Sequence, residues 1–181
     1  LFPYTTLFRS DSKFQSKGIK IDTKPLKQKA KTGDSKSKVG FSKSSYIQSL
    51  CRELSENYPD YPIYFALTVY ANNYELFKND LYNVGLAFRY SESRIDNIAL
   101  LKKNIEEKFR LNYIVNNWYY ENAPSMTIMP RMNLNYIPGL MMLVNHYELS
   151  GDIDNAQYIK ELALTIAHQA GNKKLIAEIE Q

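Results

Sequence analysis

The sequence predicts a mainly helical α+β fold, with a small β element of two or three strands packed against amphipathic helices and a helical hairpin at the C-terminal end. Three observations carry that prediction. Residues 62–69 (Pro-Ile-Tyr-Phe-Ala-Leu-Thr-Val) form a nearly unbroken apolar run rich in β-branched and aromatic side chains, and 84–90 (Val-Gly-Leu-Ala-Phe-Arg-Tyr) form a second. From Ile95 onward the apolar residues recur at three and four instead, which is the spacing of one helix face. Between 133 and 170 that spacing is interrupted once, at Gly151, as a hairpin of two helices requires.

Charge divides the chain before any element is assigned. Over all 181 residues the formal charge is +4. Ten lysines against three aspartates give +7 between residues 11 and 45, whereas residues 46–181 carry -4. The basic character belongs to the leader. Residues 11–45 are rich in Lys, Ser and Gly and poor in apolar side chains, so they read as a flexible basic linker, with a short strand in the alternating stretch 18–22. Dispersed lysines with no arginine and only two phenylalanines read as a solvated linker rather than a nucleic-acid surface. The first ten residues, Leu-Phe-Pro-Tyr-Thr-Thr-Leu-Phe-Arg-Ser, resemble the in-frame translation of a short-read sequencing adapter. The native N-terminal part is therefore expected to be missing and the chain to be a C-terminal fragment. The domain boundaries that result are 1–10 (artefact), 11–45 (linker), 46–132 (α+β subdomain) and 133–181 (helical subdomain).

Each element has a local reason. Ser44 or Ser45 is placed to cap a helix whose apolar face is Ile47, Leu50, Cys51 and Leu54, and Pro59 stops it. The strand 62–69 has apolar residues on both faces and is expected to be buried on both. A short helical turn spans 74–78, and the strand 84–90 contains Gly85, which signals a bulge or a close backbone approach. Ile95, Ile98, Leu101, Ile105 and Phe109 define one helix capped near Ser93, with Lys102, Lys103, Glu106 and Glu107 opposite. The aromatic run 112–120 fits either an extended or a helical segment, and 123–132, bounded by Pro124 and Pro130, reads as a loop.

The hairpin has the offsets of a tetratricopeptide repeat. Leu140, Leu143 and Tyr147 precede Gly151; Ala156, Ala163 and Leu164 follow it. Small residues at 156 and 163 let the second helix approach the first, Tyr147 fills the groove, and Asp152 and Asp154 stand at the positive end of the second helix. Val144, Lys160 and His168 depart from the repeat pattern. A helix at 172–180 covers one side of the hairpin and the 95–109 helix the other.

No catalytic or metal-binding constellation emerges, and no cofactor is expected. His146 and His168 lack a second ligand at metal-binding spacing, Cys51 lies on an apolar face without a histidine, and no phosphate loop or nucleophile elbow occurs. No apolar run approaches the roughly 20 residues of a membrane helix. The fifteen tyrosines would suit a carbohydrate surface, but core packing is their commoner use. The binding surface these residues nominate is the inner face of the first hairpin helix: Met141, Asn145 and Glu148.

A family resemblance adds to this. Pro62-Ile63-Tyr64-Phe65-Ala66 with Thr68-Val69, Gly85-Leu86-Ala87-Phe88-Arg89-Tyr90 some twenty residues on, Lys108-Phe109 and Met132-Asn133-Leu134 occur in the order found in a bacterial family of multi-spanning membrane proteins. The chain from about 20 to 171 resembles the C-terminal tail of that family, which was first named as a domain of unknown function. The family is related to protein O-mannosyltransferases of the GT-C type. The resemblance implies a non-catalytic tail at the periplasmic face of the inner membrane, joined to a membrane-embedded transferase that uses a lipid-linked sugar. Its partners would be that membrane part and a protein or glycan acceptor. No residue here matches the family's catalytic carboxylate. The rival reading is a free-standing cytoplasmic tetratricopeptide-type interaction module, and a third is a small nucleic-acid-binding domain.

Overall fold

A computed structural model describes residues 18–29, 31–32, 40–116, 118 and 125–181. The readings of 1–10, of 11–17 and 33–39 in the linker, of 117 and 119–120, and of the start of the 123–132 loop lie outside those residues. The fold is mainly helical α+β with a small three-stranded antiparallel sheet, as the sequence predicts. Backbone contacts separate two units, Leu1–Leu81 with Arg89–Ser93, and Tyr82–Phe88 with Arg94–Gln181. This division passes through the strands, whereas the sequence pattern placed a boundary at 132/133.

Among the described residues, the first elements of the first unit are helix α1 (Thr23–Lys29) and a two-residue pair, β1 (Lys31–Thr32) antiparallel to β2 (Gly40–Phe41). Asp22 accepts the Lys24 N–H at 3.0 Å, and Pro25 falls in the first turn, where its missing N–H costs nothing. Residues 23–29 are thus helical where a flexible linker was expected, and 18–22 do not form a strand. Leu26 explains the difference: it is buried with Tyr46 and Leu50 in a small cluster of its own. The backbone of Lys20 is also tied, since its N–H donates to Tyr58 Oη at 2.6 Å.

Helix α2 (Lys43–Asn57) is capped by Ser42, whose Oγ accepts the Ser45 N–H at 3.2 Å; the cap is not Ser44 or Ser45. Ser44 is buried, and its Oγ accepts the Leu76 N–H at 3.3 Å instead. Leu50 and Cys51 are buried on the predicted face. Cys51 meets Phe77 and Tyr90, and the Phe77 ring packs on Phe65 at 5.6 Å and edge-on to Tyr90 at 5.8 Å.

Strand β3 (Tyr64–Ala66) is shorter than the apolar run and buried on one face only. Ile63 and Phe65 pack inward, while Tyr64 remains 52% exposed. Two features go with the short extension. β3 is an edge strand in the order β3-β5-β4, and the Val69 N–H turns back to the Ala66 carbonyl at 3.0 Å and ends the extension. Two 3₁₀ turns, Ala71–Asn73 and Glu75–Asp80, follow.

The second predicted strand is a hairpin. β4 (Leu81–Asn83) and β5 (Ala87–Tyr90) flank a tight turn in which the Val84 N–H donates to the Ala87 carbonyl at 3.0 Å and Gly85 adopts φ 119°. Gly85 is therefore a turn residue, and the close backbone approach expected of it is present.

In the second unit, α3 (Asn97–Lys103) is capped by Asp96, which accepts the Ala99 N–H at 2.9 Å; Ser93 is not the cap. The predicted 95–109 helix stops being α at Lys103. A wider π turn (Asn104–Lys108) closes it, with the Phe109 N–H reaching the Asn104 carbonyl. A short α4 (Asn112–Val115) follows. Ser125–Asn133 is helical (α5) where a loop was expected, with Pro130 inside the helix. Pro130 is buried there and gives up one backbone hydrogen bond of the helix without ending it. After a 3₁₀ turn come α6 (Ile137–Ser150), α7 (Ile153–Gln169) and α8 (Lys173–Glu180). Gly151 joins α6 to α7 at φ 78°, and Ala156 and Ala163 are buried in the hairpin with Leu140, Leu143 and Tyr147. Both α3 and α8 pack against this hairpin.

Candidate functional site

Helix α6 positions all three nominated residues. Pro138 stands in its first turn, where a fixed φ favours helix entry. Its composition is apolar around almost the whole circumference, from Ile137 through Leu140, Met141, Met142, Leu143 and Val144 to Leu149. A helix of that kind is normally covered on all sides. Here Ile137, Gly139, Leu140, Leu143, Val144 and Tyr147 are buried, while Pro138, Asn145, His146, Glu148 and Leu149 face out. Leu149 is 81% exposed. Met141 and Met142 are half-buried at the margin, each also touching the core.

Asn145 and Glu148 thus lie on the outward arc as nominated, and Met141 borders it. The midline of the arc, at helical spacing, is Pro138, Met142, Asn145 and Leu149. Sequence reasoning missed Met142 and Leu149, although the all-round apolarity of α6 was the signal for them.

What fixes the rotation of α6 is a set of contacts at its two ends. At the N-terminal end, a Cβ on Gly139 would meet Leu101 Cδ1 at 3.1 Å, Asn83 Oδ1 at 3.4 Å and the Gly85 Cα at 3.6 Å. A side chain at 139 would require Leu101 to give by a few tenths of an ångström, so glycine suits this close approach to the β-turn. That turn is itself held by asparagines. Asn83 Oδ1 accepts the Gly85 N–H at 2.8 Å, Asn97 donates to the Asn83 carbonyl at 3.2 Å, and Asn104 donates to the Val84 carbonyl at 2.8 Å. At the C-terminal end, Tyr147 Oη donates to Glu106 Oε1, and Lys102 Nζ lies 5.1 Å from the centre of the Tyr147 ring.

The electrostatics follow from these partners. Burial, then the bond to Glu106, raises the Tyr147 phenol above its ordinary range. Hydrogen bonding to Tyr147, then the Glu106 charge, raises Lys102. Asn155 lowers Asp152, donating from its backbone at 3.4 Å and from Nδ2 to the second oxygen at 2.8 Å as Asp152 caps α7. Tyr147 is held protonated and directional, so this network orients α6 and holds no activated nucleophile.

No known family model, curated protein or solved structure matches the chain. Its chemistry is therefore read from its own residues. Among the described residues no group of three or more His, Cys, Asp and Glu is placed to hold a metal, and no helix is long and apolar enough to cross a membrane. His146 and His168 are exposed. Cys51 is buried, and desolvation, then the Glu92 charge, pushes its thiol up to about 12, which keeps it unreactive. An open cleft of about 590 Å³ lies at the start of α3, lined by Tyr82, Arg94, Ile95, Asp96, Asn97 and Ile98. Two of its polar groups are already engaged, Asp96 in capping α3 and Asn97 with the Asn83 carbonyl.

Proposed function

We propose that the chain is a non-catalytic interaction module that docks a partner along the outward arc of α6. The observation that carries this reading is the mismatch between α6's all-round apolarity and its exposure on one side, where Met142 and Leu149 flank Asn145 and Glu148 margins the stripe. Methionine suits such a surface because its unbranched, polarizable side chain adapts to the partner. Arginine at Asn145 and Leu149 places charge in the stripe without touching buried groups. The double variant is expected to abolish the complex formed by the wild-type chain while its melting temperature stays within a degree or two; retained binding would remove the α6 reading.

For the whole protein, the order of the two strands, the amphipathic helix and the helical hairpin supports the resemblance to the tail of a GT-C membrane glycosyltransferase. In that setting the partner of α6 is the membrane-embedded part of the same protein, or its protein or glycan acceptor, at the periplasmic face. The rival is a cytoplasmic tetratricopeptide-type adaptor, supported by the same hairpin. Long-read sequencing of the source locus separates the two. Several upstream apolar segments of about 20 residues support the transferase tail, and further repeats of about 34 residues support the adaptor.

A further inference from the structure

A second surface lies within the first unit and does not rest on the α6 reading. The Tyr90 N–H donates to the Ile63 carbonyl at 3.0 Å, which in an antiparallel pair sets Ile63 opposite Tyr90 and therefore Tyr64 opposite Arg89. Side chains alternate along a strand. Since Phe65 and Tyr90 point into the core beside Phe77, Tyr64 and Arg89 share the opposite face. Tyr64 is 52% exposed there, and Arg89 is half-buried.

Among the described residues the Arg89 side chain has neither a hydrogen bond nor an ion pair, in contrast to Arg52 of the same unit, whose Nε donates to Glu92 at 2.6 Å. Its guanidinium is therefore left to pair with an anion that its fork geometry matches. The strand that carries it is central in the sheet, so the fork is presented on a rigid base.

We infer that Tyr64 and Arg89 form a binding site for an acidic oligosaccharide, with the tyrosine ring against the apolar face of a sugar and the guanidinium paired to its carboxylate. A ring with an adjacent fork suits a flat ligand bearing an isolated carboxylate. The acidic excess of residues 46–181, -4 in all, disfavours a polyanion such as single-stranded nucleic acid.

The test is titration of the full chain with glucuronosyl-maltose, a trisaccharide bearing one carboxylate, read by NMR at the Tyr64 and Arg89 side chains. Maltotriose, oligo(dT) and a glutamate-rich peptide serve as comparisons. Saturable shifts at both residues are expected, with binding weakened at least tenfold by Arg89→Gln and by Tyr64→Ala, and at least tenfold weaker for maltotriose. Both variants alter accessible side chains, and an unchanged amide spectrum elsewhere shows that they fold. The proposal is overturned by the absence of saturable shifts, by equal binding of maltotriose, by unchanged affinity in either variant, or by tighter binding of oligo(dT) or the peptide.

Discussion

A Cβ on Gly85 would lie 2.7 Å from Cε2 of Phe109, and this near-contact locks the β4–β5 turn to the end of the π turn. Gly85 also sits at φ 119°, a conformation that side chains disfavour. Both penalties act together in Gly85→Ala, so a loss of about 3 kcal/mol is expected, from backbone strain and overpacking of roughly equal size. Gly151 provides the contrast. It has φ 78° with nothing within 4 Å of a built Cβ, so Gly151→Ala is expected to cost only about 1 kcal/mol. Urea unfolding of the two variants measures the difference; equal losses would contradict the packing of Phe109 on the turn.

Leu26 makes the leader part of the fold. Removing its side chain beside Tyr46 and Leu50 is expected to cost about 2–3 kcal/mol locally. Amide exchange at Tyr46 and Leu50 is then expected to speed up in Leu26→Ala, while exchange in α6 and α7 stays as it was. Exchange at Tyr46 that ignored the substitution would return residues 23–29 to the status of a linker.

The first-unit core predicts an alkaline limit. Cys51 is raised from 9.0 to about 12, and Tyr90 is raised above 10.0, chiefly by burial and next by Glu92. A group whose folded pKa exceeds its unfolded value stabilises fully below the unfolded value and loses that contribution as pH rises toward the folded one. Stability is therefore expected to be flat to about pH 9 and to fall by a few kcal/mol toward pH 12. Cys51→Ala should flatten the first part of that fall, as read from the urea midpoint against pH.

Tyr90 carries a second consequence. Its hydroxyl is buried with no hydrogen-bond partner among the described residues, although the Glu92 carboxylate is near enough to raise its pKa. Tyr90→Phe is therefore expected to be neutral or to stabilise by about 1 kcal/mol. Tyr147→Phe is expected to lose about 1 kcal/mol, because its partner Glu106 is solvent-exposed and water replaces part of the lost bond. Thermal melts of the two variants should shift in opposite directions, or only the second should shift.

The hairpin was the most legible part of the sequence, since Gly151, Ala156 and Ala163 act through local sterics that the residue type alone determines. The helix-face periodicity placed Leu101 and Ile105 in the core for the same reason. Boundaries that depend on which of several capable residues is used were not legible. Ser42 caps α2 because Ser44 is drawn to the Leu76 N–H, and Asp96 outcompetes Ser93 because the helix begins later than its apolar face. The two-sided burial expected of 62–69 failed because only the face bearing Ile63 and Phe65 meets the Phe77 cluster, and what packs on a sheet face is a tertiary property. Of the candidate site, Asn145 and Glu148 were legible as outward residues of α6, while Met142 and Leu149 were missed because apolar residues were assigned to the core. Gly139 was missed too, although a glycine within a helix is itself a signal of close approach.

The most direct test of the α6 reading is site-specific photo-crosslinking from position 145 in the full-length protein within its native cells, with a probe at Lys173 on α8 as control. A single discrete adduct from position 145, absent from the control and mapped by mass spectrometry to one partner segment, is the predicted result. Position 145 giving no adduct, or the same adducts as position 173, would show that the outward arc of α6 is ordinary solvent-facing surface and would contradict the interaction-module account.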